Sequence, residues 1–268
     1  MKITVIMEDT CGHPQCIYQH GLSIYIETEK HRLLLDTGAS DAILDNAKVL
    51  GIDLTLVDSV FLSHGHYDHS GGVMGFSSIN PHARIYMQRT AAYDYYHGEK
   101  YIGIDKRITD LPQVCMADGD MEIDEELSLF THITGRRLWP RDNTTLTRRT
   151  GEIALQDAFD HEQCLVITQG GKKVLLSGCA HNGILNILDR FREKYGCFPK
   201  MVISGFHMTQ KEGYTQDDIR SIRETAEELA GMDTLFYTGH CTGQTAFDIM
   251  KPVMGDKLRQ LHSGMELE

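Results

Sequence analysis

Three imidazoles and a carboxylate fall within six residues in the run Ser63-His64-Gly65-His66-Tyr67-Asp68-His69. Imidazole nitrogen and carboxylate oxygen together suit zinc, iron, manganese or nickel. The spacing adds geometry to the composition. His64 and His66 stand two residues apart, so in an extended segment they point the same way and can chelate one ion. Asp68 and His69, just past the turn, face a second position nearby. Gly71-Gly72 then lets the backbone turn away with no Cβ in its path. A polar surface turn would need neither those glycines nor the apolar run Val57-Asp58-Ser59-Val60-Phe61-Leu62 that precedes the cluster.

That apolar run reads as the strand delivering the histidines. Other elements are legible on both sides of it. Residues 22–28 alternate and are rich in Ile and Tyr, and residues 32–35 pair with them as a hairpin. Residues 42–50 carry helical spacing before Gly51, and residues 84–87, 127–133, 164–168 and 173–176 have strand composition. The carboxyl half repeats strand then helix, and each strand ends at a histidine: 174–176 leads to His181, 201–204 to His207 and 235–238 to His240. Ile184, Ile187, Leu188 and Phe191 fall on one helical face. A second helix starts at Thr215 as N-cap, buries Ile219, Ile222, Ala226 and Leu229, and ends at Gly231. Ligands at the carboxyl ends of neighbouring strands converge at one sheet edge, where open α/β sheets bind.

The chain resembles the metallo-β-lactamase superfamily, whose signature is His-x-His-x-Asp-His after a strand. Arg32-Leu33-Leu34-Leu35-Asp36-Thr37-Gly38 is similar to that family's buried strand with an Asp at its end. His20-Gly21-Leu22-Ser23, Ser177-Gly178-Cys179-Ala180-His181-Asn182-Gly183, Gly205-Phe206-His207 and Gly239-His240-Cys241-Thr242-Gly243 resemble one branch, which holds a pterin-joining synthase of methanopterin assembly and relatives known only as metal-dependent hydrolases. The likeness runs from about Met1 to Gly264.

The resemblance implies an α/β (α+β) chain forming one domain over residues 1–268, a four-layer αββα sandwich of two mixed sheets. It implies one or two divalent metal ions, zinc first, with iron or manganese as alternatives. The implied ligands are His64, His66, Asp68, His69, His181 and His240, with Asp36 behind them orienting the histidines. The chain departs from the family at two places. Thr134-Gly135 is followed by Arg136 and Arg137 where a further His is usual, and Cys179 stands where the bridging Asp is usual. His181 is then the replacement ligand, and Cys179 is set behind the ligands, its own bond to metal left open. His20 occupies the position of a Glu-His-Gly triplet in the branch, as a pocket wall or a satisfied loop histidine. His207 is open between ligand, general acid, donor to a substrate oxyanion and plain packing. His13, His31, His82, His97, His161 and His262 read as surface residues, and His132 as structural.

Residues 135–149 place five arginines and the only tryptophan in a chain of net charge −12. Guanidinium pairs bidentately with phosphate or carboxylate, and Trp stacks on planar rings. Arg136, Arg137 and Trp139 are therefore expected to bind substrate, on a lid inserted at residues 135–160, against a solvated loop or subunit contact as the bland alternative. Tyr93, Tyr95, Tyr96 and Tyr101 could pack beneath such a lid or form simple core.

The acidic balance argues against general nucleic-acid binding, which needs a basic face. No apolar run approaches the length of a membrane span, and the start, Met1-Lys2-Ile3-Thr4-Val5-Ile6-Met7, stops at Glu8-Asp9 and reads as a first strand. Seven scattered cysteines fit reduced thiols, so a soluble cytoplasmic protein is expected, with homo-oligomerisation left open. The expected function is a metal-dependent hydrolase of an anionic, phosphorylated small molecule, using metal-activated water, with Asp68 and His207 as its catalytic side chains. The alternatives are a transferase joining a pterin diphosphate to a ribofuranosyl-aminobenzene phosphate and, of another class, a non-catalytic metal or redox sensor.

Overall fold

The period-two alternation of the strands decides the layering. In the strand Ser23–Glu27, Ile24 and Ile26 enter one apolar core while Tyr25 enters another. In Arg32–Leu35, Leu33 and Leu35 join the first core and Leu34 the second. In Cys164–Gln169, Leu165 and Ile167 also join that first core, whereas Cys164 and Val166 enter a third. Strands apolar on both faces must be covered on both faces. The computed structural model, which describes residues 1–267, shows how.

Two seven-stranded mixed sheets stack face to face across the shared core. The first runs in the order Glu266–Leu267, Lys2–Met7, Ser23–Glu27, Arg32–Leu35, Ser59–Phe61, Arg84–Gln88, Val114–Ala117. Helices Ala42–Val49 and Val73–Ile79 cover its outer face. The second runs Leu258–Gln260, Leu235–Thr238, Met201–Ile203, Lys172–Leu176, Cys164–Gln169, Leu127–Phe130, Met121–Glu122. Helices Ile184–Tyr195, Gln216–Ala230 and Gln244–Met254 cover that one. Helix, sheet, sheet, helix is the expected four-layer sandwich.

Local chemistry explains the helix ends. Thr215 Oγ1 accepts from the Asp218 amide at 3.2 Å and Asp218 Oδ2 accepts from the Thr215 amide at 2.7 Å, a reciprocal cap contributing about 1 kcal/mol. The strand expected over 127–133 stops at Phe130, and His132 beyond it is exposed with φ of 59°, so its expected structural role is not what the fold shows.

A third sheet was not foreseen. Four strands, Ile153–Gln156, Leu146–Thr150, Asp94–His97 and Lys100–Tyr101, form a small antiparallel layer around Tyr95, Ile102, Leu146 and Phe159. The segment 135–160, expected as one inserted lid, thus contributes a hairpin that is completed by strands from residues 94–101. Among the described residues no helix is long and apolar enough to cross a membrane.

Candidate metal centre

Strand ends from both sheets meet at one edge. Ser59–Phe61 leads to His64 and His66; in the second sheet, Lys172–Leu176 leads to Cys179 and His181, and the parallel neighbours Met201–Ile203 and Leu235–Thr238 lead to His207 and His240. Glycine permits the closest approach. A Cβ at Gly178 would overlap Ser63 Oγ and crowd His64 Nδ1, so no other residue lets the two strand ends come together here.

The rings of His64, His66 and His181 form a near-equilateral triangle, with centroids 4.6, 4.8 and 4.9 Å apart. All three are buried, and all three Nε2 atoms lack any hydrogen-bond partner. Burial, reinforced by neighbouring imidazoles, lowers all three pKa values, His66 to about 3 and the other two well below the usual range. Three neutral nitrogens, desolvated and unpaired, are costly unless something fills the space between them. A divalent cation satisfies that requirement.

Hydrogen bonds behind the rings fix which nitrogen is free. His181 Nδ1 donates to Asn143 Oδ1 at 2.9 Å, and His240 Nδ1 donates to Asp9 Oδ1 at 2.7 Å. His69 Nδ1 donates to Asp36 Oδ2 at 2.7 Å. Ser63 Oγ donates to the same Asp36 oxygen at 2.7 Å and therefore accepts from His64 Nδ1 at 2.8 Å. Asp36, fully buried, also takes the Ser63 amide at 2.7 Å. For His64, His69 and His181 the proton on Nδ1 leaves an Nε2 lone pair turned inward, the arrangement of an oriented metal ligand, whereas at His240 burial is outweighed by hydrogen bonds to Asp68 and Asp9 and the pKa is raised.

A second group lies beside the first. Ligand atoms of Asp68, His69, Cys179 and His240 all fall within 4.8 Å of one another. Asp68 Oδ2 is the hub, 3.3 Å from His240 Nε2, 3.3 Å from His20 Nε2 and 3.6 Å from His69 Nε2. Burial opposes its charge, but the surrounding imidazoles outweigh burial and hold the carboxyl well below the usual range. Hydrogen bonds to Asp68 and Asp9 in turn raise His20 to about 9. Four of the seven non-glycine residues with positive φ among the described residues sit here: Asp36, Ala180, His207 and His240. Each such backbone costs about 1–3 kcal/mol and persists only where the surroundings over-determine it.

Several expectations change. Cys179, expected behind the ligands, has its sulfur among them, grouped with Asp68, His69 and His240 on one side and with His64 and His181 on the other. The bridging position therefore carries a thiol in place of a carboxylate. Arg136 and Arg137 do not reach the cavity. Arg136 is spent on the carbonyls of Ile133, Gly135 and Ala158 and on Asn182 Oδ1, and Arg137 pairs with Asp189 and Glu228. Trp139 lines a neighbouring pocket that shares only His207 with the metal cavity. The cavity, about 400 Å³, is lined by the cations Lys100 and Lys211 with His97 alongside, and by the carboxylates Asp9, Asp68 and Asp142. His20 lines it while paired with Asp9 and Asp68.

Sequence reasoning missed the supporting cast. His161, expected at the surface, is fully buried; its Nδ1 accepts the Gly65 amide at 2.9 Å and its Nε2 donates to Asp157 at 3.1 Å. That pair pins the glycine between His64 and His66, so His161 positions ligands and has no nitrogen left to bind one. Glu162, also buried, accepts the amides of His181 and Asn182 at 2.6 and 2.9 Å, and burial raises its pKa. Neither residue belongs to a spaced motif; only their tie to the histidine turns reveals them.

Comparison with known proteins places the fold in a family. The model of the metallo-beta-lactamase superfamily matches residues 19–240. The chain is 28% identical to the 7,8-dihydropterin-6-methyl-4-(beta-D-ribofuranosyl)-aminobenzene-5'-phosphate synthase of Methanocaldococcus jannaschii, over 98% of this chain and 95% of that one. The crystal structure of Tm1679, a metal-dependent hydrolase of the beta-lactamase superfamily, superposes with a TM-score of 0.84 at 31% identity, covering 100% of this chain and 98% of that one. Zn2+-bound PqqB from Methylobacterium extorquens shares the fold, with a TM-score of 0.61 at 12% identity and full coverage of both chains.

Proposed function

The chain belongs to the metallo-beta-lactamase superfamily, and from that membership we propose that it is a metal-dependent hydrolase of an anionic, phosphorylated small molecule. The observation carrying this reading is the triangle of unpaired, neutral Nε2 atoms on His64, His66 and His181, set beside the Asp68 hub. His64, His66 and His181 would hold one ion, and Asp68, His69 and His240 a second, with Cys179 between them. Zinc suits this mixed set of nitrogen, oxygen and sulfur donors, with iron or manganese as alternatives. When bound, such an ion supplies Lewis-acid charge and lowers the pKa of water from 15.7 to roughly 7.

The protein's own groups do the rest. Lys100 and Lys211 on the cavity wall attract and orient an anionic group, replacing the arginines expected from the sequence. Asp68, held ionised by its imidazole neighbours, orients the attacking water by accepting its hydrogen bond. His207 lines the same cavity with neither ring nitrogen hydrogen-bonded, which supports a role in delivering a proton to the leaving oxygen.

The end-to-end likeness to the archaeal synthase favours a second reading, transfer of the pterin group of a pterin diphosphate to a ribofuranosyl-aminobenzene phosphate with diphosphate departing, because cations clamping an anionic leaving group serve both reactions. Metal analysis followed by assays on phosphomonoesters, phosphodiesters, lactones and thioesters, and on the pterin–arylamine pair, separates them. Turnover of a phosphoester that is lost on chelation and restored by one metal supports the hydrolase. Turnover of the organic pair alone supports the transferase, and turnover indifferent to chelators overturns both.

A further inference from the structure

Of three neighbouring strands of the second sheet that end on imidazoles, two also end on thiols. Cys179 follows Lys172–Leu176, His207 follows Met201–Ile203, and Cys241 follows Leu235–Thr238. One ligand atom from each of these residues lies within 4.8 Å of those from the other two. Both cysteines are buried and unbridged. They are also absent from the apolar cores, whereas Cys164 is packed in one.

The backbone is shaped around Cys241. A Cβ at Gly205 would overlap its sulfur, so glycine there leaves the thiol its space. The His207 amide donates to Cys241 Sγ at 3.3 Å, and the Cys241 carbonyl accepts the amides of Met208 and Thr209 at 3.0 and 3.1 Å. These bonds fold the turn after Met201–Ile203 against the turn after Leu235–Thr238. In consequence the His207 ring stands beside two sulfurs while both of its nitrogens lack a partner.

We infer that Cys179, Cys241 and His207 form a thiol-rich metal subsite adjoining the imidazole centre, suited to a thiophilic ion such as Zn2+, Cd2+ or Cu+. Two thiolates and an imidazole are a soft donor set, unlike the imidazole and carboxylate set next to it. Three protein donors leave a position open, the pattern of a reactive site and not of a closed structural one. Cys179 is common to this subsite and to both neighbouring groups, so its sulfur links all three. Binding at one nitrogen of His207 would fix the proton on the other. The subsite thereby sets the tautomer of a ring that also lines the metal cavity. The inference rests on the donors alone and stands whichever reaction the protein catalyses.

Cobalt substitution of the full-length protein tests it. Thiolate-to-cobalt charge transfer in the near ultraviolet grows with the number of thiolates bound, while the visible bands report the imidazole sites. The wild type is expected to show charge transfer from both thiolates, and Cys241→Ser to lose about a quarter to a half of it, according to how many ions share Cys179, while keeping the visible bands. Full charge-transfer intensity in Cys241→Ser overturns the proposal. X-ray absorption on the zinc-loaded wild type gives an answer that needs no variant. Sulfur from both cysteines in the metal's shell supports the subsite, and sulfur from one or none overturns it.

Discussion

His181 and Asn143 hold each other at two points. The imidazole Nδ1 donates to Asn143 Oδ1 at 2.9 Å, and Asn143 Nδ2 donates to the His181 carbonyl at 2.6 Å. Asn143 is fully buried and sits in the short 3-10 turn Arg141–Thr145, so a loop outside the histidine cluster sets the direction of a candidate ligand. Asn143→Ala should leave the fold standing and lower affinity for the bound ion about 10–100-fold, the usual cost of losing such a partner. Competition against a chelator of known affinity measures it; unchanged affinity would show that His181 needs no orientation or binds nothing.

Asp36 joins two candidate ligands, His64 and His69, through one buried carboxylate, accepting from Ser63 and from His69 Nδ1. Its φ of 58° is a conformation that Asn tolerates, so Asp36→Asn changes hydrogen bonding without backbone strain. The substitution turns one acceptor into a donor facing donors. We expect a loss of about 1–3 kcal/mol in stability and a reduced metal content. Thermal unfolding and elemental analysis on the same preparation check both, and a variant with wild-type melting and full metal would refute the relay.

Lys100 and Lys211 line the metal cavity, whereas Arg136 and Arg137 are engaged elsewhere. Replacing both lysines with Ala should raise KM for a phosphorylated substrate about tenfold, an effect that shrinks with added salt. Arg137→Ala should leave KM alone and cost at most about 1 kcal/mol of stability, because its ion pairs are substantially exposed. The opposite ranking in steady-state kinetics would return the substrate to the arginine segment.

Asp218 carries the pH prediction. Burial pushes its pKa up, but hydrogen bonds from Thr215 and the Arg141 guanidinium at 2.8 Å outweigh burial and lower it. A depressed carboxyl stabilises the fold fully above its unfolded pKa of about 3.9, and that stabilisation is lost as pH falls further. Melting temperature should therefore drop more steeply below about pH 4 in the wild type than in Asp218→Asn. Parallel curves for the two proteins would remove Asp218 from the acid response.

The sequence by itself determined the layers and the histidines that end their strands. Alternating apolar residues in 22–28 and 32–35 require a sheet covered on both faces, and a histidine at the end of each carboxyl-half strand requires one crowded edge. These features are local, set by the period of the chain and the turn that follows, so a single reading recovers them. The rest depends on long-range contact. Asn143 meets His181 across 38 residues, and His161 reaches Gly65 across 96. Cys179 and Cys241 come together only because parallel pairing brings their strand ends to one edge. The arginine segment misled for the same reason: a guanidinium carries its charge in any sequence, but which carboxylates or carbonyls engage it first is decided by packing. Donor types are written in the chain, whereas the partner that each donor meets is a property of the folded whole.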